Sequence, residues 1–146
     1  TGAVVYSDAP TPAARSMTIA GPLVLTSGQC ATSPKNGRAQ DIALALMGAG
    51  TLPATALAAN AVWQRPTGAL SGRKAIAASL CKVRAPSRIE VDQVVTHGKS
   101  GSVAGRYWAE QGERLFCHVI RFTTASMRDI GQIVSFEHHV PQPKQK

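Results

Sequence analysis

Arg88-Ile89-Glu90-Val91-Asp92-Gln93-Val94-Val95-Thr96-His97 is the stretch that decides the fold. Ile89, Val91 and Val95 share one phase with Gln93 and His97, and Arg88, Glu90, Asp92, Val94 and Thr96 occupy the other. Period two marks a strand with one core face and one wetter face. Gly98-Lys99-Ser100-Gly101 turns the chain into 102–109, Gln111-Gly112 turns it into 115–122, and Gly131 precedes 132–140. Short strands joined at glycines predict an antiparallel meander. Its core face needs a cover, and the upstream sequence supplies one.

In 38–47, Ile42 and Leu46 stand four apart with Ala39 and Ala43 beside them, an apolar stripe of helical period that Gly48 and Gly50 end. Pro53 suits the first turn of a second short helix over 53–59, which Asn60 closes. Val62-Trp63 reads as briefly extended before Pro66. Ser71 is placed to cap a third helix over 72–82 with Ile76 and Leu80 on one face, and Pro86 separates it from the meander. Helix, helix, short strand, helix and strand meander describe an α+β domain in which helices cover one face of a curved antiparallel sheet.

The 146 residues suit a single core, and no apolar run approaches the roughly 20 residues of a membrane span. Cys30, Cys81 and Cys117 are far apart with no metal-like spacing, and read as buried free thiols of a reducing, cytoplasmic compartment. The net charge of +8 attracts anions, but Glu90, Asp92 and Glu137 interrupt the outward phase that carries Arg88, Arg106 and Arg121. Aromatics are few and do not interleave with the charges. A solvated basic surface is favoured over a nucleic-acid groove. There is no phosphate loop, triad order or zinc spacing, so neither a metal nor a cofactor is expected.

Before residue 38 the chain is rich in Pro, Ala, Ser, Thr and Gly, and 17–20 and 23–26 could pair as a hairpin through Gly21-Pro22. From Ala9-Pro10 through Ser27-Gly28-Gln29 to Gly37 this segment resembles the opening of the reactive-intermediate imine deaminase family. Later segments do not match that family, so no activity is carried over. Residues 1–37 are expected to be an extension or hairpin arm, 38–140 the domain and 141–146 a tail.

Four motifs carry a resemblance across that domain. They are Ala59-Asn60-Ala61-Val62-Trp63, then Leu70-Ser71-Gly72-Arg73-Lys74-Ala75-Ile76, then Val94-Val95-Thr96-His97-Gly98-Lys99 followed by Val103-Ala104-Gly105, and finally Phe116-Cys117-His118-Val119-Ile120-Arg121-Phe122 with Ile133-Val134-Ser135-Phe136. In this order they resemble the nuclear transport factor 2-like (NTF2-like) superfamily and its SnoaL-like branch. The resemblance implies a cone, a bent sheet wrapped over three helices with a pocket between, and a homodimer through the outer sheet face. Val94, Ala104, Trp108, Cys117 and Val119 supply apolar area on that face. Superfamily members include isomerases, cyclases, dehydratases, hydrolases and binding domains, so the fold does not select a function.

In the ketosteroid isomerases of the superfamily, an aspartate just before the proline removes a proton. Arg65 occupies that position and has no lone pair to accept one. The isomerases' oxyanion donor corresponds to His118, which can still donate. None of the eight acids is phased with the apolar face of a strand. His118 and His97 are therefore the candidate catalytic groups, with Trp63, Arg65, Tyr107, Ile120 and Phe136 as candidate ligand contacts. His138 and His139 are adjacent on a strand, point to opposite faces and cannot share a metal through their rings. The expected function is binding of a small apolar or anionic ligand. A lyase, isomerase or hydrolase using a pocket histidine is the alternative, and a nucleic-acid-associated basic protein is the second.

Overall fold

A computed structural model describes residues 5–6, 22–26 and 33–141. Its elements, in chain order, begin with β1 (Val5–Tyr6), β2 (Leu23–Thr26) and α1 (Pro34–Leu46). A 3₁₀ turn (Ala54–Ala56), β3 (Leu57–Arg65), β4 (Gly68–Ser71) and α2 (Arg73–Leu80) follow. Then come β5 (Arg88–His97), β6 (Ser100–Ala109), β7 (Gly112–Phe122) and β8 (Ile130–His139). All eight strands form one sheet in the order β1-β2-β5-β6-β7-β8-β3-β4.

The meander is present as expected, since β5, β6, β7 and β8 pair antiparallel in sequence. The sheet as a whole is mixed, because β2 runs parallel to both β1 and β5, and β3 runs parallel to β8. The hairpin expected at the N-terminus is not formed by 23–26, which pairs in parallel with Arg88–Val91; its other half, 17–20, lies outside the described residues. Strand β2 thus enters the sheet from before residue 38.

Two α-helices, not three, are present among the described residues. Residues 53–59 make only a 3₁₀ turn before continuing as strand β3. Pairing with β8 and the burial of Leu57, Ala61 and Trp63 outweigh the weak local helical pattern. Helix α1 starts four residues before Arg38, where the Ser33 side chain accepts from the Asn36 N–H at 3.1 Å and Pro34 fits the first turn. Ile42, Leu44 and Leu46 are fully enclosed, since the helix packs against β5 and β6. It ends at Gly48, whose φ of 83° suits a residue without Cβ. A Cβ there would also come within 2.9 Å of the Ala85 nitrogen, so glycine lets the segment before β5 close against the helix end. Helix α2 is capped by Gly72 rather than Ser71, which is the last residue of β4.

A bulge changes the reading of β5. The ladder to β6 pairs Val91 with Gly105 and Gln93 with Ala104, leaving Asp92 as the extra residue. Gly105 makes this possible, because a Cβ would stand 2.0 Å from the Glu90 carbonyl oxygen. Beyond the bulge the phase inverts. Val94 is buried, while Val95 is 49% exposed and His97 is exposed. Core residues Ile89, Val91, Val103, Phe116, Ile120 and Ile133 line the inner face against α1 and α2. Among the described residues no helix is long and apolar enough to cross a membrane. Cys81 and Cys117 are free thiols, but Cys81 is exposed at the end of α2, contrary to the expected burial; Cys30 lies outside the described residues.

Candidate functional site

A cavity of about 980 Å³ opens at the end of the domain where the C-terminus of α1, the β3–β4 turn, the segment 83–87 and the β6–β7 hairpin meet. Leu46, Met47 and Val83 give it apolar walls, and Trp63, Tyr107, His118, Ser135 and Glu137 face it from the sheet. Alternation on the paired strands explains the last set. Residues directly opposite each other share a face, and Tyr107 pairs with Arg114, His118 with Ser135, and Phe116 with Glu137.

Of the residues expected at the site, Trp63, Arg65, Tyr107 and His118 line this cavity. Ile120 has the expected phase but is fully buried beneath it. Phe136 does not reach it. It stands opposite Cys117 on the outer face and is 57% exposed. Residues 133–136 carry apolar side chains in both phases, Ile133 in one and Val134 and Phe136 in the other, and only the register to β7 decides between them. His97 is also misplaced by simple counting, because the Asp92 bulge turns it to the outer face. The same register moves Glu137 from its expected outward phase into the cavity, so the site does contain a carboxylate. Arg114 and Ser135 were also missed, although Arg114 shares the phase of Phe116 and Ile120 and Ser135 that of Ile133, a signal that could have found them.

Ser135 joins two of the aromatic rings. Trp63 Nε1 donates to its Oγ at 2.9 Å, and His118 Nδ1 lies 2.7 Å from the same oxygen. An indole N–H only donates, so Ser135 accepts from Trp63 and is free to donate its own proton to Nδ1. That assignment places the imidazole proton on Nε2. His118 is 4% exposed, and its Nε2 has no hydrogen-bond partner among the described residues. Burial lowers the imidazole pKa to about 4, so the ring is neutral at pH 7. Phe116 packs beside it at a ring separation of 5.3 Å.

Tyr107 donates its hydroxyl to Glu137 Oε1. Burial first, and then the Glu137 carboxylate, raise the tyrosine pKa, so the phenol stays protonated and remains a donor. Arg65 is committed elsewhere. Its Nε donates to the Gly68 carbonyl at 3.1 Å and its Nη1 to Ser79 Oγ at 3.3 Å, while the guanidinium lies 5.5 Å from the centre of the Trp63 ring. It braces Trp63 from the β3–β4 turn and does not offer an open fork. Arg114 is half-buried in the cavity wall, and its side chain makes no hydrogen bond or ion pair with another described residue. Among the described residues no group of three or more His, Cys, Asp or Glu is placed to hold a metal.

The fold compares closely with solved structures of low identity. An NTF2-like protein of unknown function from Burkholderia xenovorans LB400 superposes with a TM-score of 0.55 at 12% identity, covering 75% of this chain and 84% of that one. A SnoaL-like family protein from Agrobacterium tumefaciens strain C58 gives 0.51 at 16% identity, over 70% and 99% of the two chains. The chain has the NTF2-like fold. A de novo designed protein with a curved β-sheet also superposes on this NTF2-like chain, with a TM-score of 0.51, 12% identity and coverage of 71% and 86%. A fold shared with a designed protein carries no chemistry of its own, so function has to be argued from the cavity. No protein-family model matches the sequence, and neither does any curated protein.

Proposed function

We propose that this NTF2-like protein binds a small molecule with an apolar body and an oxygen-bearing end. The observation that carries the reading is His118 in the cavity wall, whose Nε2 is shielded from solvent and has no partner among the described residues, so that a ligand oxygen would reach it by a small shift of the packing over it. A buried donor without an acceptor costs about 1–3 kcal/mol, and a ligand carbonyl or hydroxyl oxygen would recover it. Leu46, Met47, Val83 and Trp63 supply the apolar surroundings, as expected of a site that holds a ligand body by burial and orients it with a few polar groups.

Outside the cavity, Leu115, Val95 and Phe136 are exposed on the convex face, which supports a homodimer through that face. The outward charges are partly satisfied within the chain, with Arg106 Nη1 2.7 Å from Glu113 and Arg88 stacked 5.0 Å from the Trp108 ring. That favours a small-molecule site over phosphate contacts.

The test is fluorescence titration with 4-phenylbutan-2-one in a Trp108→Phe background, where Trp63 is the remaining tryptophan. His118→Phe keeps an aromatic ring and removes the donor, and should weaken binding by about tenfold. Equal affinity in the two proteins overturns the reading.

Glu137 supports a second reading, a lyase or isomerase. A carboxylate one diagonal step from a hydrogen-bond donor could take a proton next to a carbonyl that His118 holds. Incorporation of solvent deuterium into the bound ketone, lost in Glu137→Ala, would establish it.

A further inference from the structure

His118 and Glu137 occupy neighbouring inward positions on β7 and β8, one diagonal step apart. Diagonal neighbours in an antiparallel pair have backbone positions about 7–8 Å apart. Phe116, directly opposite Glu137 and two residues from His118 on the same face, borders both groups. His118 brings a donor with no partner among the described residues. Glu137 brings an acceptor, since Tyr107 occupies its Oε1 and Oε2 has no bond to another described side chain. Tyr107 is a positioning residue, holding the carboxylate through that hydrogen bond.

We propose that the cavity recognises its ligand at two points, an oxygen acceptor at His118 and a hydroxyl donor at Glu137, and so selects apolar molecules that carry a carbonyl and a hydroxyl a few bonds apart. This rests on the cavity being the ligand site. A hydroxyl can satisfy the carboxylate without bringing charge into the apolar part of the cavity, whereas a ketone alone leaves Glu137 Oε2 without a donor once water is displaced. A carboxylate ligand would meet Glu137 as a like charge.

The test compares 4-phenylbutan-2-one, 4-hydroxy-4-phenylbutan-2-one and 4-phenylbutanoate by the same Trp63 fluorescence signal. The hydroxyketone should bind about fivefold to tenfold more tightly than the ketone, a preference abolished in Glu137→Ala and reduced in Tyr107→Phe. His118→Phe should weaken both ketones while keeping the preference for the hydroxyl. If both ketones bind with equal affinity in the wild type, and His118→Phe weakens both, the two-point proposal fails while the simpler cavity reading stands. If neither binds, the cavity reading fails with it. If 4-phenylbutanoate binds most tightly and Arg114→Ala removes that advantage, Arg114 sets specificity and the proposal is overturned.

Discussion

Ser135 stands directly opposite His118 in the β7–β8 ladder, with its hydroxyl oxygen 2.7 Å from Nδ1 and also accepting from Trp63 Nε1 at 2.9 Å. One hydroxyl thus holds both rings, and in donating to Nδ1 it selects the Nε2–H tautomer of the histidine. Ser135→Ala strands two buried nitrogens and should destabilise the protein by about 1–3 kcal/mol in urea unfolding. Histidine ¹⁵N NMR of the wild type should show the Nε2–H tautomer, and the variant should lose that tautomer's dominance.

The depressed His118 pKa couples stability to pH. The unfolded chain takes up this proton near pH 6.5 and the folded chain only near about 4. Stability is therefore complete above pH 6.5 and falls as pH drops through the window down to 4, by on the order of 3 kcal/mol. Urea unfolding at pH 7, 5.5 and 4 measures it, and His118→Phe should lose this part of the slope.

Gly105 and Gly37 should respond oppositely to alanine. At Gly105 the new Cβ collides with the Glu90 carbonyl, so Gly105→Ala should cost about 3 kcal/mol and disturb the bulge. At Gly37, inside α1, a Cβ meets nothing within 4 Å. Gly37→Ala should stabilise by about 0.5–1 kcal/mol, read as a higher urea midpoint.

Phe136 is the most exposed large apolar side chain among the described residues, at 57%. If the convex face is shared between two copies, Phe136→Glu should convert a dimer to a monomer in light scattering at micromolar concentration. Affinity in the cavity should be unchanged, because Phe136 lies on the opposite face of the sheet. A wild-type protein that is already monomeric would remove the dimer.

Arg65→Ala removes the brace on Trp63 and the bonds to Gly68 and Ser79. The expected effect is a shifted Trp63 emission and a loss of ligand affinity of about fivefold or less, smaller than that of His118→Phe. A larger loss for a carboxylate probe than for a neutral ketone would instead show direct contact with the ligand.

Local pattern determined the meander, the helix containing Ile42 and Leu46, and the helix around Ile76, because side-chain period and glycine turns act within a few residues of themselves. Strand phase singled out His118 and Tyr107, and the NTF2-like resemblance pointed to Arg65 with Trp63 beside it; all four line the cavity. Tertiary structure decided the rest. Counting by twos holds only until a residue is inserted, and whether Asp92 is inserted depends on Gly105 of the neighbouring strand, whose bare backbone accepts the Glu90 carbonyl. That contact turns Val94 inward and His97 outward. Ile133 in one phase and Val134 in the other are both apolar, so only the ladder to β7 could put Phe136 outside and Glu137 in the cavity. The 3₁₀ turn and strand at 54–65 likewise follow from pairing with β8, a partner some seventy residues away along the chain. The carboxylate that changes the chemistry of the site is therefore a product of register, which no single strand carries in its own sequence.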